Sequence, residues 1–113
     1  KPFLHYLQRS WGPTGAPMHT ETGYLRLPAP GTAEFVLAQP MGQTELCEGT
    51  VTVEGHVVVL QMESRVLNSA TAKHVVSTRR RYELAGDRLV TTFAMAAVGR
   101  PMTHHLRSEL RRV

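Results

Sequence analysis

The sequence predicts an all-β protein, an antiparallel up-and-down barrel or sandwich of about eight strands. Three observations predict it. Short runs of strand-like residues follow one another along the chain, turn residues separate them, and the connections are short enough to join neighbouring antiparallel strands. At 113 residues the chain is one domain, 1–113, large enough to bury a core without disulfides.

The first strand is predicted over Phe3 to Gln8, and a loop rich in Gly and Pro, Gly12 to Pro17, follows it. The second runs from His19 to Leu27 and is closed by Pro28-Ala29-Pro30-Gly31, which cannot continue a hydrogen-bonded ladder. The third covers Glu34 to Ala38 and ends at Gln39-Pro40-Met41-Gly42. The fourth covers Thr44 to Val53, with a bulge expected at Gly49. Glu54-Gly55 then makes a tight hairpin into His56 to Glu63, where Val57-Val58-Val59-Leu60 is β-branched and unsuited to an isolated helix. Asn68-Ser69-Ala70-Thr71 is read as the next loop, with room for one helical turn within Ser64 to Thr71. The sixth strand covers Lys73 to Leu84, Ala85-Gly86-Asp87 turns it into Arg88 to Ala96, and the last covers Met102 to Leu110.

Composition excludes several function classes. Cys47 is the one cysteine, so there is no intrachain disulfide and no CxxC zinc site, and a lone thiol suits a reducing, cytoplasmic setting. Its place in Glu45-Leu46-Cys47-Glu48 reads as a small core residue rather than a nucleophile. No apolar run has the roughly 20 residues needed to span a bilayer as a helix. The net charge of +4 invites a nucleic-acid partner, but acidic residues separate the basic clusters and no aromatics interleave with Arg79-Arg80-Arg81. A solvated strand edge or a small anionic ligand accounts for the arginines better. Phosphate-binding loops, nucleophile elbows and HExxH are absent, and the strand glutamates show no obvious close pair.

The unusual count is six histidines. They are scattered as His5, His19, His56, His74, His104 and His105, without the clustering of a zinc site. A heme needs only one proximal imidazole and an apolar cavity, which Met18, Met41, Met62, Met95 and Met102 could help line. Adjacent strand residues face opposite sides, so one of His104 and His105 is expected inside and the other outside. Alternation groups Met102, His104, Leu106, Ser108 and Leu110 on one face, and hydrophobicity alone turns His104 inward.

Four stretches in order resemble the nitrobindin family: Lys1-Pro2-Phe3-Leu4, Pro17 to Arg26, Thr71-Ala72-Lys73, and Pro101-Met102-Thr103-His104-His105-Leu106. The resemblance covers nearly the whole chain. It implies a fatty-acid-binding-protein-like, ten-stranded antiparallel barrel with heme b near its mouth. By the family's Pro-Met-Thr-X-His-Leu pattern it assigns the axial iron ligand, and the catalytic role, to His105, against the alternation above. It further implies reversible binding of nitric oxide and isomerisation of peroxynitrite to nitrate. Lys73 and Arg80 are the candidates for holding the heme propionates, since both are cations on a strand near a loop. The alternative is a non-catalytic carrier of a fatty acid or another apolar molecule, with Arg80 or Arg107 on its carboxylate; a further alternative is a degenerate barrel that serves only as an interaction domain.

The chain departs from the family pattern at its start. The Gly-X-Trp-X-Gly-X-Gly segment and the stretch after it are not in these residues, so eight strands are expected where the family has ten. Without the other two, the barrel is expected to be open and to hold heme poorly. Open edges and the resemblance together point to a homodimer.

Overall fold

The computed structural model is a single sheet of eight antiparallel strands in sequence order: β1 (Phe3–Trp11), β2 (Pro17–Arg26), β3 (Thr32–Gln39), β4 (Gln43–Glu54), β5 (Val57–Asn68), β6 (Val75–Ala85), β7 (Arg88–Ala97) and β8 (Thr103–Arg111). The structure describes residues 3–97 and 102–113, and of residues 97 and 103–105 only the backbone. Among the described residues each strand pairs with its chain neighbour, so β1 and β8 are the two edges of a curled half-barrel. The expected all-β meander is therefore present. No described helix is long and apolar enough to cross a membrane.

Two local expectations are corrected. Ser64 to Thr71 holds no helical turn, because β5 continues to Asn68. Its inward Ser64 pairs with Cys47 on one side and Thr78 on the other, so the polar residues there belong to the ladder. The bulge expected at Gly49 is also absent, since the β4–β5 register is unbroken and Gly49 lies opposite Met62. What Gly49 provides is close approach. A Cβ there would stand 1.8 Å from the Gln61 carbonyl oxygen, and one at Gly23 would stand 1.8 Å from that of Val36. Both glycines sit at inward positions, where curling the sheet presses neighbouring backbones together.

The core fills one side of the concave face. Ala33, Phe35, Leu37, Cys47 and Met62 are buried, with Tyr6, Leu25, Val51, Leu60 and Tyr82 packed against them. Phe35 is the wedge: the Tyr6 ring meets it edge-on at 4.9 Å and the Tyr82 ring at 5.8 Å.

The register irregularities lie elsewhere, at Ser10/Trp11, Val75/Ser77 and Phe93/Ala94. The last one matters most. Phe93 lies opposite Leu106, but Ala94 lies opposite His104, so His105 is the extra residue of a β-bulge. The strict alternation that grouped His104 with Leu106 does not continue across this bulge. Beyond it, Arg107, Glu109 and Arg111 take the outer face, where Glu109 meets Arg88 at 2.7 Å and Arg111 meets Asp87 at 3.5 Å.

Candidate functional site

The concave face has two parts, a buried ionic cluster and an uncovered apolar wall. The cluster joins strands that are not neighbours: Glu21 from β2, Glu45 from β4 and Arg80 from β6. Local alternation explains how each turns inward. Glu21 is two residues before the inward Gly23, Glu45 two before the buried Cys47, and Arg80 lies between the buried Thr78 and the inward Tyr82. The Arg80 side chain is 5% exposed and those of Glu21 and Glu45 are 1% and 4%.

Every N–H of the guanidinium is engaged. Nε donates to Glu45 Oε2 at 3.1 Å, Nη1 to Glu21 Oε2 at 2.8 Å and the Tyr82 hydroxyl at 3.3 Å, and Nη2 to Glu21 Oε1 at 2.9 Å and Glu45 Oε1 at 2.8 Å. Two carboxylates against one guanidinium leave a negative charge in excess, and further donors surround it. Thr78 Oγ1 donates to Glu45 at 2.8 Å, Gln39 Nε2 to Glu45 at 2.8 Å, and the Tyr6 hydroxyl reaches Glu21 at 3.0 Å. His19 Nε2 lies 3.1 Å from Glu21 Oε1. Ser64 and Thr78 share a hydrogen bond beside the cluster.

These contacts set the protonation states. Burial by itself would raise the Glu21 pKa, but hydrogen bonds from His19 and Arg80 and the guanidinium's charge outweigh it and hold the carboxyl at about 2. Burial would lower the Arg80 pKa, and its bonds to Glu45 and Glu21 instead hold it above its ordinary value. Burial, then the charge of Glu45, pushes the Cys47 thiol up to about 12, so it is an inert core thiol.

The lowered Glu21 value fixes a pH dependence. The folded pKa lies below the unfolded one, so the stabilisation is complete above the unfolded value, near 4.5, and is lost as pH falls towards about 2. Urea midpoints should fall steadily between those two pH values, and a Glu21→Gln protein should show a shallower fall. Equal slopes in the two proteins would show that Glu21 is not the group responsible.

Arg80 thus has partners other than the heme propionate expected of it: its five donors are taken by the protein. Lys73 stands apart, exposed in the loop between β5 and β6. The Gln43 side chain pins that loop by donating to the Lys73 carbonyl at 2.6 Å, and Asn68 brackets the backbone of Val75. By the up-and-down order this loop shares one end of the sheet with the connection between β7 and β8. The ligand assignment to His105, and its rival His104, fall on side chains outside those described. Gly99, Arg100 and Pro101 of the same motif also lie outside the described residues. Among the described residues no three His, Cys, Asp or Glu side chains gather to hold a metal ion.

The second part of the face lies along β6, β7 and β8. Arg80 touches the Phe93 ring, so Phe93 points inward, and its cross-strand partner Leu106 shares that face. Leu84, Leu89 and Leu110 form the next apolar row, also inward. Yet Leu84, Leu106 and Leu110 remain 44%, 49% and 45% exposed. An inner wall of half-exposed leucines beside a Phe ring suits a flat apolar molecule such as a porphyrin, so the residues present fit a heme. A groove of about 790 Å³ runs across β4 to β7 between Glu48, Glu63 and Arg79 on one side and Thr50, Gln61 and Arg81 on the other, and Met62, Arg80 and Phe93 also line it.

Sequence reasoning missed Glu21 and Glu45, finding no obvious close pair among the strand glutamates. One signal was available: Glu45 is two residues from the apolar Cys47 and so shares its face. Arg107, one of the two arginines considered for a fatty-acid carboxylate, lies on the outer face 3.8 Å from Glu109, and Arg80 is saturated. Neither is placed to meet such a ligand inside.

A curled antiparallel half-barrel with an uncovered apolar inner wall defines a β-barrel domain of the small-molecule-binding class. The comparisons narrow this class. The chain belongs to the THAP4-like, heme-binding beta-barrel domain family, whose model matches residues 1–112. It is 46% identical over 114 residues to the peroxynitrite isomerase of Nocardia farcinica, covering 99% of this chain and 68% of that protein. It is 45% identical to peroxynitrite isomerase 2 of Mycobacterium marinum, covering 99% of this chain and 71% of that one. The crystal structure of Rv2717c from M. tuberculosis matches with a TM-score of 0.96 at 42% identity, over 100% of this chain and 73% of that one.

Proposed function

We propose that the protein binds a ferric heme b through His105 and isomerises peroxynitrite to nitrate, with nitric oxide as a further ligand, in the cytoplasm. The observation that supports the cofactor is the inward apolar wall of β6 to β8, where Leu84, Leu106 and Leu110 stay half exposed near the Phe93 ring. Similarity to proteins named peroxynitrite isomerase supports the reaction.

A bound ferric heme would supply an iron centre with one coordination position free for the substrate. Peroxynitrite and nitrate have the same atoms and charge, so the chain need supply neither a net proton nor a net electron. The protein's own tasks are to hold the iron, cover the ring and limit water. His105 would hold the iron from the bulge of β8. The leucines and Phe93 would cover the porphyrin, and burying them would itself favour binding at roughly 25 cal/mol per Å² of apolar surface. Lys73, at the end of the sheet that holds the β7–β8 connection, has the charge for a propionate. Arg80 would act from beside the wall, with its charge already taken up by Glu21 and Glu45.

Hemin titration of two variants tests the ligand. His105→Ala should lose the histidine-ligated ferric absorption spectrum, and His104→Ala should keep it. The opposite pattern would assign the iron to His104. If neither the parent protein nor the variants give a Soret shift with hemin, heme binding itself is refuted.

A further inference from the structure

We propose that Arg80 is a positioning residue that sets the register of β8, acting through Phe93. The consequence for iron ligation rests on the heme reading above; the register claim does not.

The cluster immobilises the guanidinium, since two carboxylates from different strands and the Tyr82 hydroxyl take all five of its donors. Its Cζ then sits 4.6 Å from the centroid of the Phe93 ring, a buried cation over an aromatic face. The fixed ring marks one position on β7. That position is opposite Leu106, at the last pair before the register shifts and His105 becomes the bulged residue. The clamp and the bulge are therefore adjacent.

The rest of β8 specifies its register weakly. Among the described residues it is an edge strand with one neighbour. Its inward leucines are half exposed, so little burial distinguishes one register from the next. Its ion pairs, Arg88 with Glu109 and Arg111 with Asp87, lie on the surface, where such pairs contribute little. Sliding β8 by one residue in one direction would put His105 opposite Ala94 and His104 opposite Met95. It would also move Arg107, Glu109 and Arg111 to the other face. The Phe93 ring, held by the buried Arg80, is the feature placed to oppose that slide.

The test compares Phe93→Leu, which removes the ring, with Phe93→Tyr, which keeps it. In heme-free protein, cross-strand NOEs from Phe93 to Leu106 and from Thr92 to Arg107 report the register. Phe93→Leu should weaken them and show a second set of β8 resonances, and Phe93→Tyr should retain the parent's single set. With hemin, Phe93→Leu should give a mixed ferric spectrum and lose heme on the order of tenfold faster, the scale of a desolvated cation–π contact. Unchanged NOEs and a single set of resonances in Phe93→Leu would overturn the proposal. If that variant does not fold, Glu21→Gln, which loosens the grip on Arg80 and leaves Phe93 intact, is judged by the same NOEs. NOEs that move in a protein that never ligates hemin would refute the heme reading and leave the register proposal standing. Hemin ligated through His105 with unmoved NOEs would do the reverse.

Discussion

Replacing Arg80 by Leu is expected to destabilise the protein by about 3–5 kcal/mol, the range for removing one partner from a buried ion pair. The loss arises less from the missing bonds than from what they leave behind. Glu21 and Glu45 would remain buried, side by side and without a counter-charge, and one would have to take up a proton or draw in water. Arg80→Lys keeps the charge but offers a point-like ammonium in place of a planar fork with five donors, so it should recover only part of the loss. Urea unfolding followed by tryptophan fluorescence and circular dichroism measures all three proteins. A Leu variant within about 1 kcal/mol of the parent would show that the cluster does not stabilise the fold.

Gly49→Ala is expected to cost at least about 3 kcal/mol, at or beyond the upper end for overpacking, because the clash is with backbone. The added Cβ would stand 1.8 Å from the Gln61 carbonyl oxygen, 2.7 Å from its carbon and 2.7 Å from Met62 Cα. No rotamer relieves such contacts, so β4 and β5 would have to separate at this point. Gly55→Ala is the control. It has open space around it and a φ of 61°, so its cost should be the left-handed backbone penalty alone, about 1–2 kcal/mol. If the two variants unfold at the same urea concentration, close approach at Gly49 is not what limits the substitution.

The two effects have one origin. A flat antiparallel meander has no reason to wrap around a ligand. Here Gly23 and Gly49 remove the side chains that would resist curling, and Arg80 ties β6 to β2 and β4 across the concave space. The same curl leaves the wall of β7 and β8 open on its inner side.

The strands were legible in the sequence because their turns are: Pro28 to Gly31, Glu54-Gly55 and Ala85-Gly86-Asp87 each fall between elements. Their ends were less so. β5 was read too short because Ser64 and Asn68 break the apolar alternation while still facing inward, one bonded to Thr78 and the other to the backbone of Val75. The site suffered from the same cause. Glu21, Glu45 and Arg80 carry charges that normally face water, and only a curled sheet brings them within reach of one another. The middle arginine of Arg79-Arg80-Arg81 had to face opposite to its neighbours, but alternation does not say which side is inside. The bulge at His105 left no mark in the residue pattern, so a face assignment counted straight through it had no means of detecting the break.

The strand order also bears on how fast the chain can find its shape. Each ladder joins segments next to one another in sequence, so hairpins can form one at a time with short loops to close. The bonds from Arg80 to Glu21 are different: they span 59 residues and need β2 through β6 already in place. They are rewarded late. Losing them should therefore speed unfolding and leave the refolding arm of a chevron plot nearly unmoved, so that the ionic cluster governs how long the barrel stays curled rather than how quickly it curls.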